Sequence, residues 1–124
     1  MKLKIDLVKA ILLAIEEDDD WSAPFEIEID GYESKDVVYH LFLMDEAGLI
    51  QGIDLSASGS RRYAVDRLTW EGHEFLANSK DETNWKRLKK ALATVGDVSF
   101  DVARAGLAGM AHAAVATAIQ SAVQ

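Results

Sequence analysis

The chain has 124 residues, 49% of them hydrophobic and 27% charged, which is the composition of one ordinary globular domain and excludes wholesale disorder. It contains no cysteine, so disulfides, zinc-thiolate sites, iron–sulfur clusters and thiol catalysis are excluded, and a cytoplasmic setting is favoured. The formal net charge of −8 is unevenly spread: residues 1–60 hold four bases against fourteen acids, residues 61–124 nine against seven. A general grip on a phosphate backbone calls for a basic chain, so net charge disfavours DNA as a partner. Acids at Asp6 and Glu16 and the lack of a small-residue cleavage site argue against a secretory signal.

Residues 3–17 read as a helix, with Leu7, Val8, Ile11, Leu12 and Ile15 at three-and-four spacing on one face. The run Glu16-Glu17-Asp18-Asp19-Asp20 opposes the helix dipole and ends it. Consecutive acids lack the loop spacing that wraps calcium, so the run reads as solvated loop. Pro24 starts an extended segment, and Phe25 to Asp30 alternates apolar and acidic residues, as a short half-buried strand does. Gly31 turns the chain. Ser34 is the expected N-cap of a helix running to Ala47, with Asp36 in its first turn and Gly48 as its left-handed terminus. That helix is apolar on more than one face, so part of it is either sandwiched or available to a partner chain.

Residues 49–54 and 63–68 read as strands of a hairpin with a polar, flexible tip carrying Arg61 and Arg62. Thr69 caps a helix from Trp70 to about Asn78, with Trp70 and Trp85 expected as core anchors. Ser79-Lys80-Asp81-Glu82 fits a capping box and opens a further helix, on which Trp85, Leu88, Leu92 and Val95 share a face. Lys86, Arg87, Lys89 and Lys90 point mostly outward from it. The domain is expected to occupy residues 1–95. Residues 96–124 form an extension rich in alanine, with nine alanines and two glycines in 101–124 and strong helix propensity. Ala105, Gly109, Met110, Ala113 and Thr117 are its candidate oligomer interface, because small residues four apart permit close helix approach. The polar residues Arg104, His112, Gln120 and Gln124 make a membrane span a poor reading.

The order helix, strand, helix, hairpin, capped helix is that of an α+β, winged-helix-like domain with a C-terminal helical extension. Asp45-Glu46-Ala47-Gly48-Leu49-Ile50 and Leu68-Thr69-Trp70-Glu71-Gly72-His73-Glu74-Phe75-Leu76 resemble the pattern that brackets the wing in bacterial winged-helix regulators. Together with Asp6 to Glu16 and Tyr39 to Ile50, they make the chain similar to the domain-of-unknown-function 2513 family of small bacterial and phage or prophage proteins. That resemblance covers about residues 3–92 and implies a winged-helix-like fold, with no established activity and no catalytic residues. Two departures stand out. A separate second helix of a helix-turn-helix is missing, and the helix placed to enter a groove has no Arg, Asn or Gln for bidentate base contacts.

The histidines His40, His73 and His112 fall on three predicted helices without metal-ligand spacing, and no phosphate loop or nucleophile elbow occurs. No cofactor, metal or small-molecule substrate is expected, and the chain reads as a non-enzyme. Arg61, Arg62, Arg67, Lys35, Tyr39 and His40 are the candidate nucleic-acid or partner contacts. The expected role is a binding or regulatory module acting through protein contacts or weak wing-mediated DNA contact. The alternative is a structural protein whose C-terminal helix makes it a dimer.

Overall fold

The computed structural model describes residues 1–95 and residue 105. It divides into two compact units, Met1–Leu76 and Ala77–Gln124. The first unit carries α1 (Ile5–Glu17), α2 (Ser34–Glu46), β1 (Ile50–Asp54), β2 (Tyr63–Leu68) and the start of α3 (Trp70–Ser79); α4 (Glu82–Val95) belongs to the second. The architecture is α+β and compatible with a small winged-helix-like domain.

α1 buries the five residues its spacing selects: Leu7, Val8, Ile11, Leu12 and Ile15. They pack against α2 and β2. α2 contributes Val37, His40, Leu41 and Met44, and its inner face also rests on both strands. The strands pair antiparallel, with Ile50 opposite Leu68 and Asp54 opposite Tyr63. A bulge after Gln51 shifts the register, so that Gly52 faces Val65. A Cβ on Gly52 would meet the Ala64 carbonyl at 2.3 Å and the Tyr63 ring at 2.5 Å, so no side chain fits there. Tyr63 therefore packs directly on Gly52, edge-on to Phe42, and its hydroxyl donates to Asp45 at 2.7 Å. Burial and that carboxylate push the Tyr63 phenol well above its ordinary range.

The turn from α2 into β1 and the exit from β2 into α3 are locked to each other. Gly48 sits at φ +78°, the left-handed conformation that ends α2. The Thr69 backbone N–H donates to the Leu49 carbonyl at 3.0 Å, and its hydroxyl donates to the Gly48 carbonyl while accepting the Gly72 N–H. A Cβ on Gly72 would stand 2.0 Å from the Leu49 carbonyl oxygen. Gly72 is what allows α3 to leave the sheet at this angle.

Four local expectations need correction. Phe25–Asp30 is no strand. Phe25 alone exchanges hydrogen bonds with Val65 (2.9 and 2.7 Å), although exposure alternates as predicted from Phe25 to Asp30. Glu33, not Ser34, occupies the N-cap of α2, and no side chain caps it. Ser79 stays inside α3 and is buried, whereas Asp81 caps α4 by accepting the Asn84 N–H at 3.0 Å. Trp70 is 74% exposed and donates to Glu74, so it is no core anchor, while Trp85 and Leu88 are buried as expected. Lys86, Arg87, Lys89 and Lys90 are exposed. The Val95 side chain lies outside the described residues.

Gly72→Ala is expected to destabilise by about 2–4 kcal/mol, because backbone rather than a yielding side chain opposes the new methyl. Gly31→Ala, at positive φ but with open space around it, should cost only about 1–2 kcal/mol. Urea unfolding midpoints of the two variants check the difference.

Candidate functional site

The candidate contacts do not gather into one basic surface. His40 is fully buried. Its Nε2 accepts the Lys4 backbone N–H at 2.9 Å, and Nδ1 lies 2.8 Å from the Asp36 carbonyl. One neighbour can only donate and the other can only accept, so the ring is neutral with its proton on Nδ1. A candidate contact is thereby corrected to a structural one: His40 ties the start of α1 to the second turn of α2. An ion pair between Lys4 and Asp36 lies beside it, and Lys4 also approaches the Tyr32 ring at 5.9 Å. The hydrogen bond from Lys4 holds the Asp36 carboxyl below its usual range.

The wing cations are largely engaged within the chain. Arg62 clamps Glu26 with two bonds of 2.8 and 3.0 Å, the fork geometry that suits a carboxylate. This pair holds Glu26 below its ordinary range. Arg67 bridges to Gln51 across the sheet at 3.0 Å and to the Leu68 carbonyl at 3.2 Å. Arg61 is exposed and makes no hydrogen bond or ion pair among the described residues. The tip, expected to be flexible, is closed by hydrogen bonds. Leu55 donates to the Arg62 carbonyl, Arg62 to the Ser56 hydroxyl, and Ala57 and Ser60 bond each other, with Gly59 at φ +80°. Ser56 also bonds Asp54 and holds that carboxyl low.

What the fold does bring together is an open apolar groove of about 510 Å³ along the outer face of α2. Val38, Tyr39, Phe42 and Leu43 form its floor, Lys35 and Glu46 stand at its ends, and Met1 and Arg61 flank it. The four floor residues are half-buried, and both end residues are exposed. Lys35, Tyr39 and Arg61 of the predicted contacts therefore meet here. Val38, Phe42, Leu43 and Glu46 were not singled out as contacts, and their signal was the second apolar face of the helix. The helix expected to enter a groove thus offers hydrocarbon on this face, where base contacts need polar forks.

A second open cavity of about 340 Å³ lies by the acidic run, lined in part by Glu16, Asp18, Asp20, Asp66, Trp21 and His73. Asp18 and Asp20 accept backbone N–H groups two residues on, at 3.1 Å each. Among the described residues no group of three His, Asp or Glu side chains is placed to hold a metal ion. None of the described helices is long and apolar enough to cross a membrane. Ala105 is helical and exposed, whereas Gly109, Met110, Ala113, Thr117 and His112 lie outside the described residues.

Two tests follow from these contacts. His40→Leu keeps the volume but strands the Lys4 N–H, so a loss of about 1–3 kcal/mol in urea unfolding is expected. For Glu26, a lowered folded pKa means that its pairing stabilises above the unfolded value and fades as pH falls through the folded one. The midpoint difference between wild type and Glu26→Gln should therefore be full at neutral pH and shrink below pH 4.5.

A family model described as Hypothetical protein (DUF2513) matches residues 2–98. An uncharacterized protein of Haemophilus influenzae is 34% identical over 103 residues, which cover 82% of this chain and 87% of that protein. No solved structure matches the chain. The interlocking glycines and threonine thus lie within the matched residues 2–98, and the chain belongs to the DUF2513 family.

Proposed function

We propose that the chain is a non-enzymatic binding module that works through protein contacts at the outer face of α2. The observation that carries this reading is the row of half-buried apolar side chains, Val38, Tyr39, Phe42 and Leu43, left open on the helix that a winged-helix protein turns toward its target. An apolar patch with charged ends is the anatomy of a protein interface. Internal pairing of Arg62 and Arg67, burial of His40 and the net charge of −8 speak against DNA as the main partner. The regulatory role and the phage or prophage setting rest on the family resemblance, and a cytoplasmic location rests on the absence of cysteine.

A photo-crosslinking amino acid in place of Tyr39, expressed in cells, is expected to yield a protein adduct that survives nuclease. One at exposed Glu71 should not, and Val38→Asp should abolish the Tyr39 adduct. In parallel, random duplex DNA at about 50 mM salt should show no salt-dependent anisotropy change. Binding whose log–log salt slope drops by about one in Arg61→Ala would overturn the protein reading in favour of the wing.

A further inference from the structure

The outer face of α2 has a symmetry that its composition alone does not require. The groove residues on α2 are Lys35, Val38, Tyr39, Phe42, Leu43 and Glu46. They recur at alternating three- and one-residue steps, so they form a single stripe along one side of the helix. A twofold axis lying between two antiparallel copies of the helix, level with the His40–Leu41 step, would bring each of these residues opposite another of the six. Lys35 falls opposite Glu46 of a second copy, Val38 opposite Leu43, and Tyr39 opposite Phe42. Every pairing is chemically complementary: two ion pairs at the ends, then two aliphatic contacts, and two aromatic contacts at the centre.

Self-complementarity of this kind is what an isologous dimer demands, since one patch must serve as both partners. Lys35, an exposed cation that also lies 3.3 Å from its own chain's Glu33, and Glu46 at the other end give the stripe ends of opposite sign, which favours one direction. Antiparallel helices bring unlike charges together, whereas parallel helices would set Lys35 against Lys35 and Glu46 against Glu46. The ends lie eleven residues apart, about 16 Å along the axis, so both ion pairs and the apolar centre fit one helix–helix contact.

We infer that the occupant of the α2 groove is a second copy of this chain, docked antiparallel about a twofold axis that lies between the two α2 helices, level with their midpoints. The inference rests on the protein-contact reading and names its partner. A contact built on one 13-residue helix is smaller than a standard interface of roughly 1,600 Å², so a weak, concentration-dependent dimer is expected. Arg61 and Met1 flank the stripe and add contact area at its edge.

Sedimentation velocity of the full chain from about 5 to 500 μM tests this. Wild type is expected to pass from monomer to dimer across that range. Lys35→Glu and Glu46→Lys each turn two attractions into two repulsions and should raise the dissociation constant about tenfold. An equimolar mixture of these two variants restores both attractions and should recover dimer as a heterodimer. The double variant Lys35→Glu/Glu46→Lys should also recover it as a homodimer. Both residues are exposed, and unchanged circular dichroism confirms folding.

A wild type that stays monomeric to about 500 μM overturns the inference. So does a dimer indifferent to both single variants, which would place the interface elsewhere, as on the C-terminal extension. If the monomeric protein still gives a nuclease-resistant adduct with a different protein from Tyr39, the dimer falls and the protein-contact reading stands. With no adduct at all, both fall.

Discussion

The fold turns on one close approach, where α3 crosses the Leu49 carbonyl with nothing but the two hydrogens of Gly72 between them. Thr69 holds that crossing from both sides, with its hydroxyl shared between the Gly48 carbonyl and the Gly72 N–H. The arrangement joins the end of α2, the first residue before β1 and the first turn of α3 at a single point. The hairpin between them, nineteen residues long from Ile50 to Leu68, therefore starts and finishes at a fixed base. The residues that resemble a wing-bracketing pattern are explained by this geometry: they are joinery, and no chemistry needs to be assigned to them.

A second constraint is electrostatic. The acidic first half of the chain supplies partners for several of the basic residues that a nucleic-acid reading would need. Glu26 engages Arg62 and Glu33 engages Lys35, while the neutral Gln51 engages Arg67. Exposed pairs of this kind contribute little to stability. Their larger effect is to commit charge inward. The wing keeps its shape with Arg62 and Arg67 engaged inside the chain, while the neighbouring face of α2 keeps its apolar side chains half-buried.

Much of the fold is legible in the sequence because short-range rules decide it. The α1 stripe, Gly48, the hairpin limits and the Thr69 cap all depend on residues within a few positions of one another. The misreadings share a cause of a different kind. His40 looks like a surface histidine because its decisive partner, the Lys4 N–H, is 36 residues away and has no side-chain signature. Phe25 to Asp30 has the alternation of a strand, but a ladder needs a partner along its length, and β2 offers one bridge at Val65. Ser79 and Asp81 are both good caps by type, and the choice fell to where α3 stops. For the candidate site, the unused apolar face of α2 was visible as excess hydrophobicity, yet which residues it exposed required knowing which four the core had taken.

Met1 lines the same groove as Phe42 and Leu43, while three residues later Lys4 is pinned to α2 through His40. Any peptide fused ahead of Met1 thus begins at the mouth of the groove, held there at an effective concentration in the millimolar range. An affinity tag at that end acts as a tethered competitor, able to occupy the face intramolecularly and mask whatever binds it. Expression vectors for this protein should carry the tag elsewhere.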